Sequence, residues 1–343
     1  MTPLIFSVIK VLGTSAIASA VAMLWAPFLI DFLYKHKLWK KKGGKKAFSG
    51  EEAVVFNSLH KEREVSVPRM GGLLIFITVV GVALLSYFTP FNFLSRSQTW
   101  LPLFTLVAAS LFGLLDDIFV VSDLGKYVGG GMSFKKRLLI VALIGLAGAL
   151  WFFYKLEWDV ISVPLLGQFA IGIWYIPLFV AVMVACWAGG IIDGIDGLSG
   201  GTFASIFGAF SIIAFSQGKV DLATFCAVIT GTLFAFLWFS IPPARFYMSE
   251  VGSLGLVVTI SVVAFLTDSV VVLPIIAGLL VLEVGSVIIQ LLSKKFRKKK
   301  IFLSTPIHHH FEAIGWPAYK VTMRLWIVGI VLAIIGVVIK LLG

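Results

Sequence analysis

WLPLFTLVAASLFGLLDDIFVV, residues 100–121, runs for sixteen residues without a charge and then sets two aspartates side by side. An apolar run of that length reads as a helix across a bilayer, because each hydrocarbon crossing takes about 20 residues. The rest of the chain has the same character. Of its 343 residues 59 % are hydrophobic and only 13 % charged, and the mean hydropathy is +1.03. Soluble domains are nearer half apolar and a quarter charged. Ten spans are predicted, at roughly 4–34, 70–89, 100–119, 138–154, 177–192, 200–216, 221–240, 253–268, 271–292 and 325–342. They are continuous apolar runs and not segments of about ten alternating residues, which favours helices over a barrel. The first is too long for the apolar core of a removable signal peptide and is taken as a span.

The predicted fold is therefore an all-α integral membrane protein, residues 1–343 forming one polytopic domain. Loops at about 35–69, 120–137, 193–199, 241–252 and 293–324 fall on one side. Four of these, 35–69, 120–137, 241–252 and 293–324, hold 10, 4, 1 and 8 basic residues, which is 23 of the 28 lysines and arginines. That asymmetry predicts a cytoplasmic basic side and both termini outside. The net charge of +11 thus describes one membrane face attracted to lipid headgroups, not a nucleic-acid-binding domain. Cys186 and Cys226 lie inside predicted spans and offer neither a disulfide framework nor a CxxC site.

The acids are few, 17 in all, and several stand where ionised groups are costly, which marks them as functional suspects. Asp116 and Asp117 end the third span. Adjacent helical residues point about 100° apart, so both serve one site only at a fraying helix end. Asp193 and Asp196, in GGIIDGIDGLSGG (189–201), would share a face if helical, and glycines such as Gly194 allow close approach to a ligand. Glu250 lies in a loop before the eighth span, and Glu283 stands alone inside the ninth. All except Glu283 map to the basic side, as do His308, His309 and His310 in STPIHHHFEAIGW (304–316). Carboxylates without thiols suit a hard cation such as Mg²⁺. Zinc is disfavoured, because three consecutive histidines do not readily aim at one ion and helical H-x₃-H spacing is absent. Imidazoles beside a basic run suit a phosphate or polar substrate group. The expectation is an enzyme with Mg²⁺ at its cytoplasmic face acting on a phosphorylated substrate. A secondary transporter is the rival from another class, although its acids would lie near span centres.

PRMGGLLIF (68–76), GLLDD (113–117), DGIDGL (193–198), FLWFSIPPARFYMSEVGSL (236–254), EVGSVIIQ (283–290), PIHHHFEAIGW (306–316) and RLW (324–326) resemble, in this order, the polyprenyl-phosphate N-acetylhexosamine-1-phosphate transferases. The PIHHHFE form resembles the branch that takes a muramoyl donor. The resemblance implies that undecaprenyl phosphate attacks the β-phosphate of UDP-MurNAc-pentapeptide to give lipid I and UMP, with Mg²⁺ required, in peptidoglycan synthesis at the bacterial plasma membrane. A sister enzyme moving another UDP-HexNAc is the alternative. The implied catalytic residues are Asp116, Asp117 and Glu250, with Asp116 engaging the lipid phosphate and Asp117 and Glu250 on the metal. The implied substrate contacts are Asp193, Gly194, Asp196, Ser240, Tyr247, Gln290, His308, His309 and His310. Membrane lipids and a second copy of the chain are the other partners the family implies. The chain also departs from the family. FMGD becomes Tyr247-Met248-Ser249-Glu250, so glutamate replaces the metal aspartate and serine the glycine. Trp187 and Gly190 stand where asparagines are usual before DGxDG, and Ser240 where one is usual after FLW-F. Glu64, with Arg63 adjacent, stands where a lysine is usual before GTPTMGG. Such changes leave a scaffold without catalysis, or a shifted donor, as further readings.

Overall fold

The computed structural model describes residues 2–44, 57–58, 60–123 and 131–343. The predicted loops 35–69 and 120–137 lie partly outside the described residues. In chain order the helices are α1 Pro3–Lys35, α2 Gly72–Ser86, α3 Trp100–Val121, α4 Phe134–Leu150, α5 Tyr175–Ala188, α6 Leu198–Ser216, α7 Val220–Ser240, α8 Ser249–Leu266, α9 Leu273–Ile276, α10 Gly278–Arg297, α11 Ile307–Ala313 and α12 Ala318–Leu341. Among the described residues eight helices are long and apolar enough to cross a membrane: α1, α3, α4 with its continuation to Lys155, α5 with its flanking turns, α6, α7, α8 and α12. Each coincides with a predicted span. The second predicted span is α2, only 15 residues long.

The ninth predicted span, 271–292, is not one helix. It breaks at Ala277 into α9 and α10, and α10 runs on to Arg297. Its polarity is inverted relative to a soluble helix. Glu283, Ser286, Gln290 and Ser293 are buried, while Leu282, Ile288, Ile289 and Leu292 are about half exposed. That spacing puts one polar stripe inward and leaves the apolar residues to lipid, which is how a membrane helix carries polar function.

The sequence reading contains no strand, yet β1 Val160–Val163 and β2 Gly167–Ala170 form an antiparallel hairpin between α4 and α5, with Val160 opposite Ala170. Leu165 and Gly167 take positive φ at its turn. Asp268, beyond the end of α8, accepts a hydrogen bond from the Ser162 N–H at 3.0 Å. The four-residue strands are too short to show as a period in a sequence this apolar.

α8 is the centre of the bundle. Every one of its residues is buried except Glu250. It packs along α3, with α5 and α2 beside it, while α7 pairs with α1 and α6. At the end away from the acids, Phe152, Tyr175, Phe179 and Phe265 form an aromatic plug, with Phe179 and Phe265 stacked at 4.2 Å between centroids. Outer helices turn large apolar side chains outward, Leu24 and Phe28 of α1 among them. α1 buries Ala18, Ala22 and Ala26 along one face instead, a small-residue stripe that lets membrane helices approach closely.

Candidate active site

Asp116 and Asp117 do not sit at a fraying end. α3 continues to Val121, one further turn, so the two carboxylates diverge as helical geometry requires. Each has its own arginine. Asp116 Oδ2 lies 2.6 Å from Arg137 Nη2, and its Oδ1 accepts the Met132 N–H at 2.6 Å. Asp117 is fully buried; Arg69 donates to its Oδ1 at 3.1 and 3.3 Å, and the Val251 N–H to its Oδ2 at 2.9 Å. Glu250 lies in the first turn of α8 and not in a loop. Its Oε1 accepts from Arg137 Nη1 at 2.8 Å. Arg137 therefore bridges Asp116 and Glu250 with its two terminal nitrogens, a fork that only a guanidinium provides.

These groups meet because α3 and α8 touch. A Cβ built on Gly113 would collide with the Glu250 backbone carbonyl, so glycine one turn before Asp116 brings the two helices together at the acids. Asp116, Arg137 and Glu250 line a crevice whose remaining walls are Phe112, Met132, Ile140, Val141 and Leu254. Asp117 sits behind it. Burial works against the Arg69 charge, but Asp117 and then Glu250 outweigh it and hold the guanidinium protonated more firmly than usual.

Asp193 and Asp196 do not share a helical face. The chain runs from a 3₁₀ turn, Gly189–Ile192, into a loop before α6. Asp193 accepts from Ser199 Oγ and from the Ser249 N–H, both at 2.8 Å, and so ties the DGIDG loop to the start of α8. Burial raises its carboxyl above the usual range. Asp196 pairs with Arg63 at 2.7 Å and accepts the Ala244 N–H at 3.0 Å. Glu64, which stands in the place of a familial lysine, pairs with Lys40 at 2.7 Å instead. Arg63, one residue earlier, supplies the positive charge.

Ser249 takes φ +59, the left-handed region that glycine favours. A non-glycine residue there costs about 1–2 kcal/mol. Three bonds hold it: its N–H to Asp193, its Oγ accepting the Met70 N–H at 3.2 Å, and its carbonyl accepting Ser253 Oγ at 2.8 Å. PRMGG and YMSE are laced together by backbone bonds, Tyr247 N–H to Pro68 O at 2.9 Å and Gly71 N–H to Tyr247 O at 2.8 Å. Burial raises the Tyr247 hydroxyl well above its ordinary value. Ser240 is buried at the last position of α7.

The histidines are anchored by carboxylates. His308 Nδ1 lies 2.8 Å from Glu283 Oε2, and neither side chain is exposed. His309 Nδ1 lies 2.7 Å from Glu312 Oε2. Both rings turn their Nε2 atoms toward Gly194: a Cβ there would collide with His308 Nε2 and stand 3.2 Å from His309 Nε2. His308 Nε2 is buried without a hydrogen-bond partner. Glu283, the acid that the sequence left apart from the rest, thus belongs to the site through His308. His310 is separate; its Nδ1 accepts the Leu303 N–H at 3.2 Å. Gln290 uses its amide on the 301–302 backbone, donating to Phe302 O and accepting the Ile301 and Phe302 N–H groups. It shapes the loop before α11.

Sequence reasoning missed the cations at the acids. Arg69 is visible only as the arginine of PRMGG. Arg137 is the one basic residue of FKKR that is partly buried, Lys135 and Lys136 being exposed. It also missed a cluster able to hold a metal ion, His60, His309 and Glu312, whose ligand atoms lie within 4.8 Å of one another.

Residues 99–268 match the family model described as glycosyl transferase family 4. Three curated relatives carry the name phospho-N-acetylmuramoyl-pentapeptide-transferase. That of Anoxybacillus flavithermus is 31 % identical over 96 % of this chain and 98 % of its own length. That of a Geobacillus species is 34 % identical over 81 % of this chain and 85 % of its own. That of Bacillus subtilis is 31 % identical over 96 % and 98 %.

Proposed function

The chain belongs to the phospho-N-acetylmuramoyl-pentapeptide transferase family, a branch of the polyprenyl-phosphate N-acetylhexosamine-1-phosphate transferases, and from that premise we propose that it converts UDP-MurNAc-pentapeptide and undecaprenyl phosphate into lipid I and UMP. An oxygen of the lipid phosphate attacks the β-phosphorus of the donor, the bond to the UMP oxygen breaks, and UMP leaves carrying that electron pair. Catalysis of this kind is mostly positioning and charge neutralisation.

The observation that carries the reading is the crevice where Arg137 bridges Asp116 and Glu250 beside an apolar wall. The apolar wall of Phe112, Ile140, Val141 and Leu254 suits a prenyl chain, and a cation on the two acids beside Arg137 would suit its phosphate. Asp116, at the crevice, takes the proton or orients the attacking phosphate oxygen. Gly194, with His308 and His309 Nε2 beside it and Asp193 and Asp196 alongside, receives the donor. Tyr247, Ser240 and Gln290 shape that end. The basic loops support a reading in which this end faces the cytoplasm of a bacterium and the chain spans its plasma membrane.

Mg²⁺ fits the acids. The donors are all carboxylate oxygens, three acids against Arg69 and Arg137, and Mg²⁺ commonly takes one or two carboxylates plus substrate phosphates and water. The sequence expectation assigned it to Asp117 and Glu250. Asp116 and Glu250 line the crevice, whereas Asp117 does not, and Glu250 has only one oxygen held by Arg137. We therefore assign the ion to Glu250 and Asp116, with Asp117 fixing Arg69 behind them. When bound it neutralises the pyrophosphate of the donor.

Purified protein given undecaprenyl phosphate, Mg²⁺ and one UDP-sugar at a time tests the reading through UMP release. UMP from UDP-MurNAc-pentapeptide alone is expected. UMP from UDP-GlcNAc in its place assigns the sister reaction, and no UMP from any donor sinks both.

A further inference from the structure

Three histidines in a row argued against zinc, because consecutive residues point apart. The fold builds a different set. His309 contributes one imidazole, Glu312 follows it by one helical turn, and His60 arrives from 249 residues earlier in the chain. His60 Nε2 lies 3.1 Å and His309 Nδ1 2.7 Å from the same oxygen, Glu312 Oε2. The side chains are 15 %, 5 % and 5 % exposed for His60, His309 and Glu312. We propose that His60, His309 and Glu312 form a second cation site, distinct from the acids, that takes a divalent ion of the zinc class and fastens the cytoplasmic segment at His60 to the histidine helix α11.

The chemistry favours such an ion over Mg²⁺. Two imidazole nitrogens are borderline donors that zinc-class ions prefer and Mg²⁺ does not, and such ions also accept the one carboxylate oxygen. Zinc bonds of about 2.0–2.2 Å at tetrahedral angles need donors roughly 3.3–3.5 Å apart. The His60 contact, at 3.1 Å, is close to that, and the His309 contact, at 2.7 Å, must open by well over half an ångström, so the side chains rotate apart to seat the ion. Three protein ligands leave a fourth position for water or a ligand oxygen. Glu312 Oε2 already accepts from both rings, and an ion would take the place of those shared protons, binding the carboxylate and the neutral ring nitrogens.

The placement gives the site a purpose. The segment that carries His60 also carries Arg63, which reaches Asp196 of the DGIDG loop, and Arg69, which reaches Asp117. A metal at His60 fixes the third point of this strap through His309, one of the two histidines whose Nε2 atoms face Gly194. An ion there orders the donor-binding end without joining the reaction.

The test uses full-length protein in detergent, purified through a tag without histidine and stripped with chelator. Co²⁺ titration is read by its visible absorption and Zn²⁺ retention by elemental analysis after gel filtration. One ion per chain is expected in the wild type and in Glu250→Gln, with a tetrahedral Co²⁺ band undiminished by excess Mg²⁺. His60→Ala and Glu312→Gln should each abolish the band. His60→Ala lies outside the spans, and Zn²⁺ should raise the melting temperature of the wild type but not of this variant. No retained ion in the wild type, or one kept by His60→Ala, overturns the site and leaves a hydrogen-bonded His–Glu–His cluster. Loss in Glu250→Gln alone assigns the ion to the acids and also overturns it. None of these readouts depends on the transferase reaction.

Discussion

Glu283 shows at the residue scale what the sequence could and could not carry. Its burial within an apolar run marks it as functional, since an ionisable group there needs a partner. The partner, His308, lies 25 residues away across a loop, and no local pattern points to it. A carboxylate on Nδ1 fixes which nitrogen of the ring faces outward. Glu283→Gln keeps an acceptor and most of the shape but loses the charge. We expect kcat to fall on the order of 10- to 100-fold, the range for a removed orienting partner, with KM for the donor little changed. A collapse of KM with kcat intact would make Glu283 a binding group instead. Glu312 gives a pH signature. Its folded value of about 2 lies below the ordinary 4.5, so its stabilising contribution is complete above about 4.5 and disappears as pH falls toward 2. Hydrogen exchange near His60 should accelerate across that acid window in the wild type, and Glu312→Gln should flatten the dependence. Equal profiles would contradict the pairing.

Elements were legible where a run of apolar residues was long and uninterrupted. α1, α3, α6, α7 and α12 could be read from hydropathy alone. α10 was not, because its polar stripe of Glu283, Ser286, Gln290 and Ser293 faces inward and its break at Ala277, between Pro274 and Gly278, falls inside a continuous apolar run. The hairpin was invisible, its strands being four residues each. The acids of α3 were located correctly but misread as a helix end, because the sequence does not show that α3 runs on to Val121. What fixes them is the contact of α3 with α8 at Gly113. Gly113→Val inserts a side chain where the Glu250 carbonyl lies, and overpacking of this kind typically costs about 1–3 kcal/mol. Thermal unfolding in detergent should fall accordingly, and UMP release should be lost even below the new transition. Wild-type turnover in this variant would mean that the α3–α8 contact does not position the site.

At the scale of the whole molecule, charge asymmetry carried most of the information. It predicts an orientation, and that prediction is open to a direct check, because Cys186 and Cys226 are both buried. A membrane-impermeant thiol reagent on intact cells should label Leu166→Cys in the hairpin and spare Lys299→Cys beyond α10; the reverse pattern would invert the proposed topology. The candidate site was half legible. Its acids and histidines stand in motifs, whereas Arg63, Arg69 and Arg137 gain their meaning only from the fold that sets each against a carboxylate. The central claim is that the crevice of Asp116, Arg137 and Glu250 passes a phosphorylated sugar from nucleotide to lipid. Mass spectrometry of the lipid extract, run beside UMP release, tests it most directly. One lipid-linked pyrophosphate per UMP is expected from the wild type, with neither product from a folded Asp116→Asn variant. Lipid product from that variant at the wild-type rate, or UMP without lipid product, would contradict the account.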